Sequence, residues 1–349
     1  MRRGAIVQLT LLALILGGIT TAFAVIPNWL PPSAAEQADR IDFVFWYVTI
    51  ICIVIYAIVI ATLVYSAWKF RVAPDDDSDG PPVHGHTGLE IGWTAIPFVL
   101  VTSMAIVSAI VLARNDSTGK DPLHVCVTAQ QFAWSFTYPK PNEACTLENF
   151  GKTGVTSSVL RLPIDRPARF TLTALDVIHS FWVPEFAQKQ DAVPGTTTHV
   201  TVTPNKVGTY PIICTELCGL GHAVMRSSAI VMPKAEFAAW LNKSGEATSG
   251  GGTAAGKTVY TNEGCGACHT LQAAKSTGKV GPDIDKLPAY AKQAGMPLEQ
   301  FVRESIVKPE AYIEKGYPAN VMPKTFASLP KTQLDALVTF LVDSSKAAK

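Results

Sequence analysis

Two apolar runs without a single charge constrain this chain before anything else. They are Phe43–Trp68 (FVFWYVTIICIVIYAIVIATLVYSAW) and Ile91–Ala113 (IGWTAIPFVLVTSMAIVSAIVLA). Each exceeds the ~20 residues that a helix needs to cross a bilayer, where every backbone polar group must be paired within the segment. Trp46 and Trp68 stand near the ends of the first run, where amphipathic rings anchor at the lipid–water boundary. A buried core hairpin is the alternative, and it does not require runs this long and charge-free. A third run, Gly4–Pro27, follows Arg2 and Arg3 and contains Ala22-Phe23-Ala24. It is either a signal peptide spanning residues 1–24 or an extra span. Under both readings Arg2, Arg3, Lys69 and Arg71 lie inside, and everything beyond Ala113 is expected outside the plasma membrane. A multi-pass protein is expected, with a transmembrane helical hairpin over 39–115 and membrane lipid around it.

A length of 349 residues suggests two or three units in all, and a net charge of +1 provides no field for nucleic acid. In the loop between the spans, Asp75–Gly80 reads as a solvated acidic turn. From Asp121 onward, short runs such as HVCVTA, FAWSFTY, ARFTLTAL, THVTVTP and GTYPIIC alternate or are rich in β-branched and aromatic residues. Pro, Gly, Asn and Asp separate them, which predicts a β-sandwich or barrel over 121–243, closed by a short helix at PKAEFAAWLNK. Residues 244–256 (SGEATSGGGTAAG) lack apolar periodicity and predict a flexible linker, with a typical span of only ~20 Å. Residues 257–349 read as helical and end in an apolar stripe of Leu334, Leu337, Val338 and Leu341.

Outside the spans, the cysteines divide by spacing. Cys126 and Cys145 are either a disulfide, as an oxidising compartment permits, or two free thiols. Cys265 and Cys268 belong to GCGACH, a C-x-x-C-H pattern in which two thiols attach a c-type haem and His269 binds its iron. A thioredoxin-like pair would need a βαβ setting and has no use for the histidine. Met322 is the expected ligand on iron's other face, with Met296 its rival, because a thioether raises the potential into the electron-carrier range. The unit resembles class I cytochromes c, and by that pattern the Pro282 carbonyl in VGPDID orients His269.

The second pair lies in CTELCGLGHAVM, which gathers Cys214, Cys218, His222 and Met225 within one loop. Structural zinc favours C-x2-C pairs and has no need of a thioether, whereas thiolate, imidazole and thioether together suit copper. Two thiols are enough to bridge two coppers, and His179 in DVIHSFWVPEF supplies a second imidazole. No acid–base pair or open substrate pocket accompanies these ligands, so the reading is a relay for electrons.

These stretches, DVIHSFWVPEFAQKQDAVPG followed by CTELCGLGHAVM, resemble subunit II of haem-copper cytochrome c oxidases. With the haem domain, the whole chain resembles the caa3-type variety. The resemblance implies an all-β cupredoxin-like Greek-key barrel carrying binuclear CuA, beside an all-α class I cytochrome c domain with one haem c. Cys214 and Cys218 then bridge the coppers, and His179, His222, Met225 and the Glu216 carbonyl complete them. The Glu216 side chain would help to hold Mg²⁺ at the boundary with subunit I. Glu90 falls where the family has the start of a proton path, or is simply a charged residue flanking a span. Phe132 and Trp134 fall in the family's aromatic stretch over the copper. The family commonly has Trp at the positions of Phe132 and Ala133, and the first of these serves electron entry from a soluble cytochrome c. Phe132 fits electrons arriving from the tethered haem instead, and plain packing is the other reading of Phe132 and Trp134.

The expected partners are subunit I, other oxidase subunits and an external donor, either a cytochrome c or a quinol-oxidising complex. The alternative function is the CuA subunit of a nitric oxide reductase. A copper-delivery protein would have no use for GCGACH, and quinol oxidase subunits lack these copper ligands.

Overall fold

The computed structural model describes residues 3–71, 75, 82, 84–141, 143–148, 150, 154–247, 252–319, 321–322 and 324–348. The expected acidic turn lies outside them apart from Asp75. Two compact units divide the chain, one of residues 1–32 and 39–115 and one of residues 33–38 and 116–349.

The first unit holds α1 (Arg3–Val25) and all but the ends of α2 (Glu36–Lys69) and α3 (Thr87–Asp116), each long and apolar enough to cross a membrane. Small residues allow close approach between α1 and α2: a Cβ on Gly17 would lie 3.5 Å from that of Ala57. Tyr47 and Ser103 hydroxyls meet at 2.8 Å between α2 and α3. Val54, Ile58 and Phe98 point outward, the arrangement lipid requires.

Among the described residues, the second unit opens with ten strands. They are β1 (Leu123–Gln130), β2 (Ala133–Tyr138), β3 (Val155–Ser157), β4 (Leu160–Pro163), β5 (Ala168–Ala174), β6 (His179–Val183), β7 (Gln188–Ala192), β8 (Thr198–Val202), β9 (Gly208–Cys214) and β10 (Arg226–Met232). Two five-stranded sheets result, ordered β3-β2-β1-β5-β8 and β4-β10-β9-β6-β7, and they form a cupredoxin-like sandwich. Period-two alternation decides the register. Leu123, Val125, Val127 and Ala129 of β1 enter the core beside Phe136, Phe170 and Phe181. Cys126, on the other face of β1, is bonded to Cys145, which settles that pair as a disulfide. β1 runs parallel to β5 and β4 parallel to β10, so strands distant along this segment lie side by side.

Helix α4 (Lys234–Ala247) covers one side of the sandwich with Phe237 and Trp240, whose rings lie 5.9 and 5.1 Å from that of Tyr138. Residues 244–247 and 253–256 of the expected linker are helical. Helix α4 reaches Ala247 with Ser244 buried, and α5 (Thr253–Asn262) begins only six residues later. Local composition missed this because packing against neighbours, rather than propensity, stabilises such helix ends. A helical bundle follows: α6 (Cys265–Cys268), α7 (Leu287–Gln293), α8 (Leu298–Val307) and α9 (Lys331–Ala347). Helices α5 and α9 cross at Gly256, where a Cβ would stand 2.0 Å from the Ala336 carbonyl oxygen. Only glycine allows that approach. Tyr260 and Phe340 meet beside it with ring centroids 5.7 Å apart.

Candidate metal centres

Three neighbouring strands converge on the first site. His179 opens β6, Cys214 closes β9, and the returning loop carries Cys218, a 3-10 turn at His222–Val224, and Met225 before β10. Pairing of Phe181 with Cys214 fixes β6 against β9. The ligating atoms of His179, Cys214 and Cys218 all lie within 4.8 Å of one another. The two sulfurs are 3.8 Å apart, so they are thiols and not a disulfide. His179 Nδ1 is 3.9 Å from Cys214 Sγ, His222 Nδ1 is 3.5 Å from Cys218 Sγ, and Met225 Sδ is 3.8 Å from Cys218 Sγ. The Glu216 carbonyl oxygen lies 3.3 Å from Cys214 Sγ, while the Glu216 side chain is exposed. His179, Cys214, Cys218 and Met225 are all buried. Two thiols, two imidazoles, a thioether and a carbonyl gathered around the sulfur pair form a soft donor set, with His179 and the Glu216 carbonyl beside Cys214 and His222 and Met225 beside Cys218, and it fits copper.

Electrostatics already separate the two thiols. Burial resists ionisation of Cys214, but hydrogen bonding with His179 and with the Ser180 and Glu216 backbone outweighs it and lowers its pKa. Burial, and then the charge of Cys214, push Cys218 up. His179 is held above its ordinary value: burial opposes the cation, and bonds to Cys214 and Asp176 overcome that. Asp176 Oδ1 accepts from His179 Nε2 at 2.8 Å, which leaves Nδ1 facing the sulfurs. Sequence reasoning passed over Asp176; its signal was a carboxylate three residues before a ligand histidine.

Phe132 packs its ring against the loop that carries Cys218 and His222. A Cβ on Gly221 would meet its ring at 2.4 Å, and one on Gly219, at φ +129°, at 3.2 Å. Trp134 is buried and meets His179 edge-on, with ring centroids 6.2 Å apart.

The second site is a cavity of about 440 Å³, with Cys265, Cys268, His269, Pro282 and Met322 in its walls. Met296 packs instead on the cluster beneath α8 and α9. His269 Nδ1 donates to the Pro282 carbonyl oxygen at 2.7 Å. Its ring rests on Gly281, where a Cβ would lie 2.4 Å from Cε1. Burial lowers the pKa of His269, partly offset by the Pro282 carbonyl, so the neutral imidazole that iron binds is favoured. Paired thiols, an oriented imidazole and an apolar hollow fit a haem.

Residues 123–232 match the family described as "Cytochrome C oxidase subunit II, periplasmic domain", and residues 24–111 match that subunit's transmembrane domain. Residues 253–345 match "Cytochrome c". Cytochrome c oxidase subunit 2 of Synechocystis sp. is 32% identical over 259 residues, covering 61% of this chain and 74% of that protein. This chain belongs to the cytochrome c oxidase subunit 2 family. The subunit 2 of Alkalihalophilus pseudofirmus is 31% identical over 325 residues, covering 89% of this chain and 87% of its own length. The solved periplasmic domain of subunit II of cytochrome oxidase from Bradyrhizobium japonicum is 28% identical, with a TM-score of 0.32, and covers 37% of this chain and 98% of that one. As a subunit 2 carrying a cytochrome c domain, the protein is an electron-transfer subunit of an oxidoreductase complex that includes subunit I. Both families imply its cofactors, copper and haem c.

Glu90 lies in the first turn of α3, where its Oε1 accepts from the His86 backbone N–H at 3.2 Å. It is in the other compact unit from the metal sites.

Proposed function

We propose that the chain is the electron inlet of a terminal oxidase, with the haem site first and the copper site second. One residue carries this reading. Trp134 lines the haem cavity and also touches the copper ligand His179 edge-on. Phe132 is a second shared wall, lying between that cavity and the glycines of the copper loop.

Cys265 and Cys268 would hold the haem, and His269 and Met322 would bind its iron. Cys214, Cys218, His179, His222, Met225 and the Glu216 carbonyl would hold the coppers. When bound, these groups exchange single electrons with little change of geometry. The chain's own residues orient and shield them. Pro282 fixes the His269 tautomer, Asp176 fixes that of His179, and the buried sulfurs keep water out. The exposed Glu216 carboxylate is available for Mg²⁺ at the subunit I boundary, and Glu90 for a proton path. Both metal domains would lie outside the plasma membrane, where an external donor reduces the haem.

The test uses the complex purified through a tag on this chain and supplied with ascorbate and a redox mediator. Rapid, cyanide-sensitive oxygen uptake is expected. Nitric oxide loss without oxygen uptake would replace the oxidase by a nitric oxide reductase.

A further inference from the structure

We propose that the Ser157–Val159 turn between β3 and β4 is the plate on which this chain's own cytochrome domain docks, and that docking there fixes the route between the two metal sites. The proposal rests on the relay reading above and names the surface that the relay uses. Ser158 Oγ donates to the Thr261 carbonyl oxygen at 3.0 Å, at the end of α5 and four residues before Cys265. Gly264 follows, with φ +71°, and a Cβ there would stand 3.0 Å from Ser158 Cβ. Glycine supplies both the backbone conformation and the close approach. Ser158, Val159, Val224 and Arg226 join Phe132 and Trp134 as the wall that the barrel contributes to the haem cavity.

The plate is held from beneath. Arg161 Nη1 donates to Ser157 Oγ at 2.9 Å and to the Val159 carbonyl at 3.4 Å, and its guanidinium lies 4.8 Å from the Trp240 ring centroid on α4. Ser227 Oγ donates to the Ser158 carbonyl. The docking turn and the helix that leads to the cytochrome domain therefore share one side-chain network. While the domain is docked, this face is closed to a diffusing cytochrome, and an external donor reaches the haem from another side. With both groups bound, this face would serve the passage of a single electron from the group held by Cys265, Cys268 and His269 to the one held by Cys214 and Cys218, with no bond made or broken and no proton moved.

The test compares the native complex with Ser158→Trp, which blocks the plate, and Gly264→Ala, which blocks the approach from the cytochrome side. Haem and copper absorption establish that both sites are loaded. An electron is photoinjected into the haem and its arrival at copper is followed. Internal transfer is expected to slow about tenfold or more in both variants, as loss of about 1.4 kcal/mol of docking free energy would bring. Amide exchange at residues 157–159 and 261–264 is expected to quicken together. Native transfer rates and native exchange in correctly loaded variants would overturn the docking plate. A native complex whose haem never reduces copper would overturn the relay itself, and amide protection of the two segments would then report docking separately.

Discussion

Asp176 and His179 form a 2.8 Å hydrogen bond on the side of the imidazole turned away from the copper sulfurs. The carboxylate holds the proton on Nε2 and leaves Nδ1 free as a ligand. Asp176→Asn keeps the shape and removes the charge. Copper retention is expected to fall about 10- to 100-fold, measured by competition with a chelator, while haem content stays constant. Unchanged retention would mean that β6 alone orients the ring.

Cys218 is the thiol that touches both His222 and Met225, at 3.5 and 3.8 Å. Replacing it by serine removes the soft donor that links those ligands to Cys214. Metal analysis should find the copper content reduced by half or more, with the covalent haem intact. A variant that retained the full copper content and its native absorption would exclude a bridging role.

Gly281 makes a prediction at the haem. An alanine Cβ would come within 2.4 Å of His269 Cε1, so the imidazole must move. In Gly281→Ala the haem should remain attached through Cys265 and Cys268, with altered visible absorption and a shifted midpoint potential. A native spectrum and potential would show that the ring tolerates the added methyl.

Tyr138 links the core to the docking turn. Its hydroxyl donates to the Arg161 carbonyl at 2.8 Å and accepts from the Arg161 N–H at 2.6 Å. Tyr138→Phe should cost about 1–3 kcal/mol, read by denaturant unfolding, because buried partners are left unpaired. Burial raises the Tyr138 pKa above its ordinary 10, with Arg161 offsetting only part. Its folded value therefore exceeds the unfolded one. The contribution is complete below about pH 10 and is lost as pH climbs through the folded value. The variant should lack this alkaline loss, and an unchanged alkaline limb would place its cause elsewhere.

Local chemistry was legible in the sequence where a site is built from one loop. C-x-x-C-H and C-x3-C-x3-H-x2-M confine most of the candidate ligands to short stretches, so spacing alone grouped them. Strand reading was less complete. β7, QKQDA, offers no apolar alternation, and β3 has only three residues. Both are strands because their neighbours pair with them, and a single sequence does not display such pairing.

The sequence by itself determined the apolar spans and which cysteines, histidines and methionines are grouped at each candidate metal centre's short motif, because each depends on residues close along the chain. His179 lies 35 residues from Cys214 and was reached only through the need for a second imidazole, and the tertiary structure seats it beside Cys214 through the pairing of β6 with β9. Only tertiary structure turned Asp176 onto His179, laid His269 on Gly281, set Trp134 between the two sites and brought Ser158 to Thr261 across 103 residues. These relationships follow from strand register and helix packing, where burial of apolar faces selects one arrangement among many that local propensity permits.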